Sequence, residues 1–148
     1  MSQYIFLLFT FRQFDHENFM CTLLLPSSYR ASALAIRAFN IEVARVQDHV
    51  SDSRIGQMRM KFWEDTIEKI YSDNVPQHPV AIELHHAFKR HKLTKRFLKR
   101  LIAVRSAQLT CPSFPDLDAI ELYCEASVAS VYYLLLETAG WYRLFTAN

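Results

Sequence analysis

Apolar residues recur with helical spacing along one long segment of the chain, from Ser28 to Val50. Because an α-helix turns once in about 3.6 residues, steps of three and four positions keep residues on one continuous stripe. The main stripe consists of Ile36, Phe39, Val43, Val46 and Val50. A second line on a neighbouring face consists of Arg37, Ile41, Ala44 and Asp48. The pattern predicts a helix that is apolar on most of its circumference.

Start and stop signals divide the rest of the chain into further helices. An early helix is predicted from Asp15 to Leu25, where Pro26 ends it. Later start signals are Asp52, Pro79, Thr94 and Asp116. The last helix is long and ends at Gly140, and its length outweighs the strand propensity of residues 131–136. The sequence therefore predicts an all-α bundle of about six helices, preceded by a strand-like or helical lead-in, residues 1–14, that packs on the bundle.

The composition supports a single helical domain. The chain has 148 residues, 51% of them apolar, which is enough for one substantial core. Two glycines and five prolines are fewer turn residues than a sheet with tight turns usually needs. The net charge of +2 excludes no class of partner.

Cysteine usage and the N-terminal residues bear on the cellular compartment. Cys21, Cys111 and Cys124 form no C-x-x-C pair, and an odd number leaves one cysteine unpaired, which favours a reducing compartment. The apolar run in residues 1–9 is too short to span a bilayer. It lacks both the basic leader of a secretory signal and the arginine-rich pattern of a mitochondrial presequence. Taken alone, these features predict a cytosolic protein.

Acidic, histidine and cysteine residues offer few candidate chemical sites. Asp48 and Asp52 are four residues apart, as a carboxylate pair would be, but Asp52 lies in a Ser-Asp-Ser junction typical of an N-cap. Cys124 has no cationic neighbour that would activate a thiolate, so we interpret it as a small core residue. The histidines show no H-E-x-x-H spacing, and the clustered ones are His78, His85, His86 and His91. The sequence predicts no catalytic residue, no metal and no cofactor.

Basic side chains line one face of the helix predicted after Thr94. The face consists of Lys92, Lys95, Arg96, Lys99 and Arg100, and it lies opposite an apolar arc. Such a face is either a solvated surface or a contact for a partner protein or an anionic membrane. Nucleic acid is disfavoured as a partner because few aromatic side chains interleave with the basic ones.

Arg105 differs from these basic residues because it projects within the apolar arc, between Leu98 and Leu101. A buried cation requires compensating polar groups. We therefore predict that Arg105 is mostly buried and paired with an acid from another helix. The candidate acids are Glu42, Asp48 and Glu125.

Five ordered blocks of the sequence resemble blocks of the squalene/phytoene synthase family. They run from Glu17 to Pro26, Arg37 to Asn40, Met58 to Trp63, His78 to Leu84 and Arg90 to Arg96. The resemblance covers residues 15–140 and implies the N-terminal half of an isoprenoid synthase fold. Residues 141–148 form a divergent tail, and the family's second aspartate-rich motif lies beyond the chain, so we expect a truncated form.

The first aspartate-rich motif of that family is largely replaced. Its carboxylates, one helical turn apart, hold the magnesium ions that neutralise a substrate diphosphate. The corresponding positions here are Ala44, Arg45, Asp48 and His49, so Asp48 is the one aspartate that remains. Tyr132 stands where the family has a glycine that lets a prenyl chain approach the backbone. The resemblance therefore implies an inherited scaffold on which Asp48 is a relic of the diphosphate face.

The resemblance is particular to a mitochondrial branch of the family whose members assist the assembly of respiratory complex I. It implies a non-catalytic protein on the matrix side of the inner membrane. The expected partners are complex I assembly intermediates or other assembly proteins, the membrane itself through a peripheral contact, and a lipid in the relic cavity. Two alternatives remain open: a prenyl-diphosphate-utilising transferase that acts through Asp48, and a basic helical interaction module with no role in respiration.

The last predicted helix carries six consecutive apolar residues, Val131 to Leu136, which cover every side of it. A helix that is apolar all round must be buried all round, and the preceding helices can cover only part of its surface. We therefore expect an exposed apolar patch centred on residues 132–136. An isolated chain with such a patch should be marginally stable, oligomeric or dependent on a partner.

Overall fold

The computed structural model of the protein describes residues 3–141, with side chains from Ile5 onward, and the helices in this range account for all of its regular structure. The early helices are α1 (Gln3–Phe14), α2 (His16–Leu23), α3 (Ser27–Ala44) and α4 (Ser53–Tyr71). The later ones are α5 (Pro79–His91), α6 (Lys95–Thr110), α7 (Leu117–Cys124) and α8 (Ser130–Thr138). The all-α prediction is confirmed.

Helix α3 lies at the centre of the bundle. Residues 32–39 are buried without interruption, and α3 packs against α1, α5 and α8. The predicted stripe is confirmed, since Ile36, Phe39 and Val43 are fully buried. The predicted end at Val50 is wrong, because α3 ends at Ala44 and a 3-10 turn, Gln47–His49, follows. That turn tightens the chain because the Asp48 amide bonds to the Arg45 carbonyl.

Local start signals succeed where a side chain can reach a free backbone amide. Asp52 accepts from the Arg54 amide and Asp116 from the Ala119 amide, as the sequence predicts, while Pro79 opens α5. Asp15 and Thr94 also occupy N-cap positions, but neither side chain caps its helix. Asp15 instead accepts from the Asn18 side chain, and the Thr94 hydroxyl donates to Glu137.

The predicted sixth helix is one helical run with an interruption. Helices α7 and α8 are joined by a π-helical segment, Glu125–Ala129. There the Ser127 hydroxyl donates to the Tyr123 carbonyl and the Ser130 hydroxyl to the Ala126 carbonyl, each four residues earlier. Such bonds from serine satisfy carbonyls that the wider turn leaves free. The run ends at Thr138, and Gly140 follows with a φ of +87°.

The lead-in segment, residues 1–14, forms a helix rather than a strand over its described part, α1. Leu7 and Phe11 are fully buried, and the Phe11 ring meets the Phe19 ring edge-on with centroids 5.6 Å apart. Of the predicted tail, residues 141–148, all but Trp141 lie outside the described residues.

Helices α4 and α6 close the other side of the bundle by packing along each other. Gly56 permits this contact, since a Cβ there would lie 2.9 Å from Leu109 Cδ1. The core between α3 and α4 is aromatic, with the Phe39 and Trp63 centroids 5.4 Å apart in an edge-to-face arrangement.

Candidate functional site

The relic diphosphate face on α3 retains a single carboxylate. Asp48 and Ala44 are both exposed, Asp48 in the 3-10 turn and Ala44 at the last residue of α3. Asp52, the other acid nearby in sequence, is occupied by the Arg54 amide at 2.8 Å and by the Arg54 guanidinium. Hydrogen bonds from Arg54 lower the pKa of the Asp52 carboxyl. The positions four residues before and after Asp48 are thus an alanine and an acid already engaged by Arg54, which is not the carboxylate set that holds a divalent cation.

Arg37 on α3 contacts Tyr132 on α8, the residue that stands where the family has a glycine. The Arg37 guanidinium carbon lies 5.2 Å from the centre of the Tyr132 ring, which is cation–π distance. Arg37 is 8% exposed, and Tyr132 is half-exposed on α8. The pair joins α3 to α8 with bulky side chains where the resemblance implies space for a prenyl chain.

Arg105 is half-buried, but the prediction of an acidic partner is wrong. Its guanidinium donates to the Asn40 carbonyl at 2.9 Å and to the Asn40 side-chain oxygen at 2.7 Å. Among Glu42, Asp48 and Glu125, none lies within 4.0 Å of it. Burial lowers the pKa of Arg105, and the Tyr123 hydroxyl opposes this shift. Two neutral oxygens in fork geometry satisfy the guanidinium, so the bundle buries the cation without burying an anion.

Metal-ligating residues do not assemble in the described part of the chain, where no three His, Cys, Asp or Glu side chains form a metal-sized group. His85 bonds to Asp73 at 2.8 Å, and His86 lies 3.6 Å from Glu83. Cys124 is exposed, so its interpretation as a core residue is wrong. It lies on the uncovered side of the run that begins with α7.

The predicted basic face is partly neutralised by acids of the same chain. Glu68 on α4 accepts from both Lys95 and Lys99, the latter at 2.5 Å, and these bonds lower the pKa of Glu68 to about 2. Arg100 lies 3.7 Å from Glu125. Lys92 and Arg96 are exposed and have no acid within 4.0 Å among the described residues. The cationic surface available to a partner is therefore centred on these two residues.

An exposed apolar surface lies along α7 and its continuation. Its side chains are Phe114, Leu117, Ile120, Leu122, Val128, Tyr132, Leu136 and Trp141. A groove of about 480 Å³ runs beside it between α6 and α7. The predicted patch at residues 132–136 is present at Tyr132 and Leu136, but Val131 and Leu134 are buried. Beyond the prediction, the patch continues along α7. We call this whole surface the open face.

One helical run in residues 3–141 is long and apolar enough to cross a bilayer by length and composition alone. It is Leu117–Thr138, with a mean hydropathy of 1.3 over its most apolar window. Core helices of soluble proteins meet the same criterion, and α8 packs against α3 and α6. Length and composition therefore show that the run is apolar, but they do not distinguish burial by protein from burial by lipid.

Sequence reasoning missed a pocket of about 450 Å³ at the end of α3, whose lining includes the replaced motif positions Arg45 and His49. It lies between the end of α3, the start of α4 and His78. A signal was available in α4, where Ile55, Met58 and Phe62 form a second apolar line beside the core stripe of Met60, Trp63 and Ile67. A second apolar line on a helix whose first line already faces the core indicates a surface that binds a ligand or a partner.

Comparison with known proteins gives one family and a consistent set of relatives. Residues 11–144 match the family model for squalene/phytoene synthase. A Homo sapiens protein named NADH dehydrogenase (ubiquinone) complex I, assembly factor 6, is 47% identical over 87% of this chain and 39% of its own length. The homologue of that factor in Drosophila melanogaster is 40% identical over 86% of this chain and 40% of its own length.

A more distant relative from Dictyostelium discoideum, also named as a homologue of assembly factor 6, is 30% identical over 94% of this chain. The chain spans about two fifths of the length of these curated relatives. No solved structure gives a significant match.

Proposed function

The chain belongs to the squalene/phytoene synthase family, and we propose that it is a non-catalytic member that assists the assembly of respiratory complex I. Its mechanism is binding: it holds an assembly intermediate or another assembly protein and contacts the inner mitochondrial membrane from the matrix side. The names of the curated relatives support the assembly role.

The observation that carries the non-catalytic part is the state of the relic face. Magnesium-assisted chemistry on a diphosphate requires several carboxylates one helical turn apart. Asp48 is exposed, Ala44 occupies the preceding turn and Asp52 is held by Arg54. The contact between Arg37 and Tyr132 places two bulky side chains where the resemblance implies space for a prenyl chain. This face supports occupation by a partner segment or a lipid better than it supports a reaction.

Two surfaces of the described chain suit a binding role. The open face offers several exposed apolar side chains on α7 and its continuation, of which Leu117 is 75% and Leu122 is 71% exposed. Contiguous exposed apolar surface of this kind marks a docking site. The basic face, centred on Lys92 and Arg96, suits an anionic membrane surface. We assign the open face to the assembly partner and the basic face to the membrane.

Rescue of complex I in a cell line that lacks the homologous assembly factor tests this role. The unmodified chain should restore part of the complex, measured on native gels. Asp48→Ala should restore as much, because the carboxylate performs no chemistry. Leu117→Gln combined with Leu122→Gln should restore less than half as much, because the open face loses its apolar contacts. Leu24→Gln is the matched control, since Leu24 is 87% exposed just after the end of α2, outside the open face.

Opposite outcomes refute the proposal in separable ways. Absence of rescue by the unmodified chain contradicts the assembly role. Loss of rescue in Asp48→Ala alone would favour the transferase alternative. Incubation with magnesium and a labelled prenyl diphosphate then provides an independent check, because a condensed product would show catalysis directly.

Sedimentation with anionic vesicles tests the membrane contact. Lys92→Gln combined with Arg96→Gln should weaken binding by about 1 kcal/mol for each cation removed. Glu68→Gln should strengthen binding, because Lys95 and Lys99 lose their intramolecular partner. Lys61→Gln is the control, since it also removes a cation, but one that lies on α4 beside Glu64 and Asp65. Identical binding by all four proteins would contradict a membrane role for this face.

A further inference from the structure

The pocket at the end of α3 is lined by two of the replaced motif positions, Arg45 and His49. Its walls from the end of α3 and the following turn are Glu42, Arg45, Val46 and His49, at i, i+3, i+4 and i+7 spacing on one face. Ala44 and Asp48 are not among the residues that line it. Its volume of about 450 Å³ falls within the roughly 300–1,000 Å³ that small-molecule sites occupy.

One side of the pocket is apolar and uncovered. Met58 is 73% exposed and Phe62 is 46% exposed, although both are large apolar side chains on a well-formed helix. Beneath them Trp63 is buried, and the His78 ring meets it edge-on with centroids 5.0 Å apart. This side offers an elongated apolar surface to a ligand.

The other side of the pocket is cationic. Arg59 is exposed and has no acid within 4.0 Å among the described residues. The Arg45 guanidinium lies over the Phe14 ring at 3.4 Å and bonds to the His49 ring at 2.6 Å, which fixes its position. The Nδ1 atom of His78 is buried without a hydrogen-bond partner. Glu42 is the one acid in the lining, and it disfavours a ligand with more than one negative charge.

We propose that this pocket binds one long-chain fatty acid, whose carboxylate is held by Arg59 with Arg45 beside it, and whose acyl chain lies along Met58, Phe62 and Trp63. A guanidinium matches a carboxylate in bidentate geometry. The apolar chain covers side chains that are otherwise exposed to water. The combination of cationic rim and apolar wall thus selects a single-chain monoanion over an uncharged lipid or a phosphate dianion.

Tryptophan fluorescence measures this binding directly. The chain contains two tryptophans, so a Trp141→Phe background leaves Trp63, in the pocket lining, as the sole reporter. Dodecanoate below its micelle concentration should give saturable one-to-one binding. Dodecanol, with the same chain and no charge, and lysophosphatidate with a matched chain should each bind about tenfold more weakly. Bound dodecanoate should also raise the unfolding temperature of the protein.

Two arginines on α4 provide matched variants. Arg59→Gln should weaken dodecanoate binding about tenfold, because a charge-assisted hydrogen bond is lost. Arg54→Gln should leave it unchanged, since Arg54 is largely exposed, pairs with Asp52 and does not line the pocket.

Several results would overturn the assignment. They are the absence of saturable binding, equal affinities for dodecanoate and dodecanol, and equal losses in the two arginine variants. Tighter binding of lysophosphatidate would contradict the choice of a carboxylate. Binding to fatty-acid-containing vesicles without binding to monomeric dodecanoate would identify a membrane contact in place of a ligand pocket. The comparison of the three ligands uses unmodified side chains in the pocket, so it does not depend on how well a variant folds.

Discussion

The central helix and the last helical run are both strongly apolar, yet their surroundings are opposite. In α3, residues 32–39 are all buried, even though they include Ser32 and Arg37. In the most apolar window of Leu117–Thr138, 22% of the residues are buried. The apolar composition of each run determines how much apolar surface must be shielded from water. The arrangement of neighbouring helices decides how much of that surface is covered. Helix α7 faces α6 across a groove, and most of its residues are exposed.

The difference separates residues that maintain the fold from residues that are available for binding. A buried apolar side chain stabilises the native state through transfer from water and close packing. An exposed one contributes little to the stability of the isolated chain and much to association. The predictions below test whether this division holds.

The largest expected effect comes from matched truncations in the two runs. Phe39→Ala removes a fully buried ring packed against Trp63 and should cost about 3–5 kcal/mol of unfolding free energy. Leu122→Ala, at a side chain that is 71% exposed, should cost less than about 0.5 kcal/mol. Urea unfolding followed by circular dichroism measures both. Similar losses at the two positions would remove the distinction between the covered and the open run.

Self-association of the chain should depend on the open face. At about 25 cal/mol per Å² of apolar surface, burying a hundred or more Å² is worth a few kcal/mol. We expect concentration-dependent oligomers in sizing chromatography and binding of a dye specific for apolar surface. Both should decrease in Leu117→Gln combined with Leu122→Gln and persist in Leu24→Gln. If the unmodified chain stays monomeric and binds no dye, the other helices of the bundle already cover the open face.

Arg105 lies at the border between the covered core and the open run, and its loss should cost about 1–2 kcal/mol. The cost is moderate because the partner is the neutral Asn40, so Arg105→Ala leaves no unpaired anion buried. A double-mutant cycle with Asn40→Ala measures the side-chain part of the contact, since the backbone carbonyl remains. A cost well above this range would indicate a buried acid near Arg105 in solution.

The smallest effect concerns the link from α8 to α6. Glu137 is 3% exposed, and burial raises its pKa above the ordinary value of 4.5, although hydrogen bonds from Thr94 oppose the shift. A carboxyl with a raised folded-state pKa favours folding most below the unfolded-state pKa of 4.5, and this contribution is lost as the pH rises through the folded-state pKa. Glu137→Gln, which cannot ionise, should therefore gain stability relative to the unmodified chain as the pH rises above 4.5.

Unfolding free energies of Glu137→Gln and of the unmodified chain are measured from pH 4 to pH 8. The contributions of all other titrating groups are common to both proteins, so they cancel in the difference. A constant difference across the range would mean that Glu137 ionises normally. Glu137→Ala cannot ionise either, so it should follow the same pH dependence as Glu137→Gln but be about 1 kcal/mol less stable than Glu137→Gln at each pH, because the first turn of α6 loses its acceptor.

Signals contained in a few adjacent residues predicted the fold well. Each helix start at Asp52, Pro79 and Asp116 depends on residues within one turn of it. The apolar stripe of α3 can likewise be identified without knowing which helices pack against it. The acceptor of Arg105 was mispredicted because Asn40 is 65 residues away, and because charge considerations favour acids over the neutral oxygens that the fold supplies. The pocket beside Arg59 was missed for a similar reason. Its lining comes from three separate segments whose proximity is tertiary.

The bond between Glu137 and Thr94 also has a consequence for the order of events during folding. The backbone amide of Thr94, at the start of α6, donates to a side chain 43 residues later in the chain. A helix whose first turn is stabilised by such a distant residue gains that stabilisation late. On the ribosome, α6 is synthesised before α8 exists, so its first turn frays until residue 137 has emerged and α8 has docked. The final step of closing the bundle is therefore coupled to the completion of its last helix.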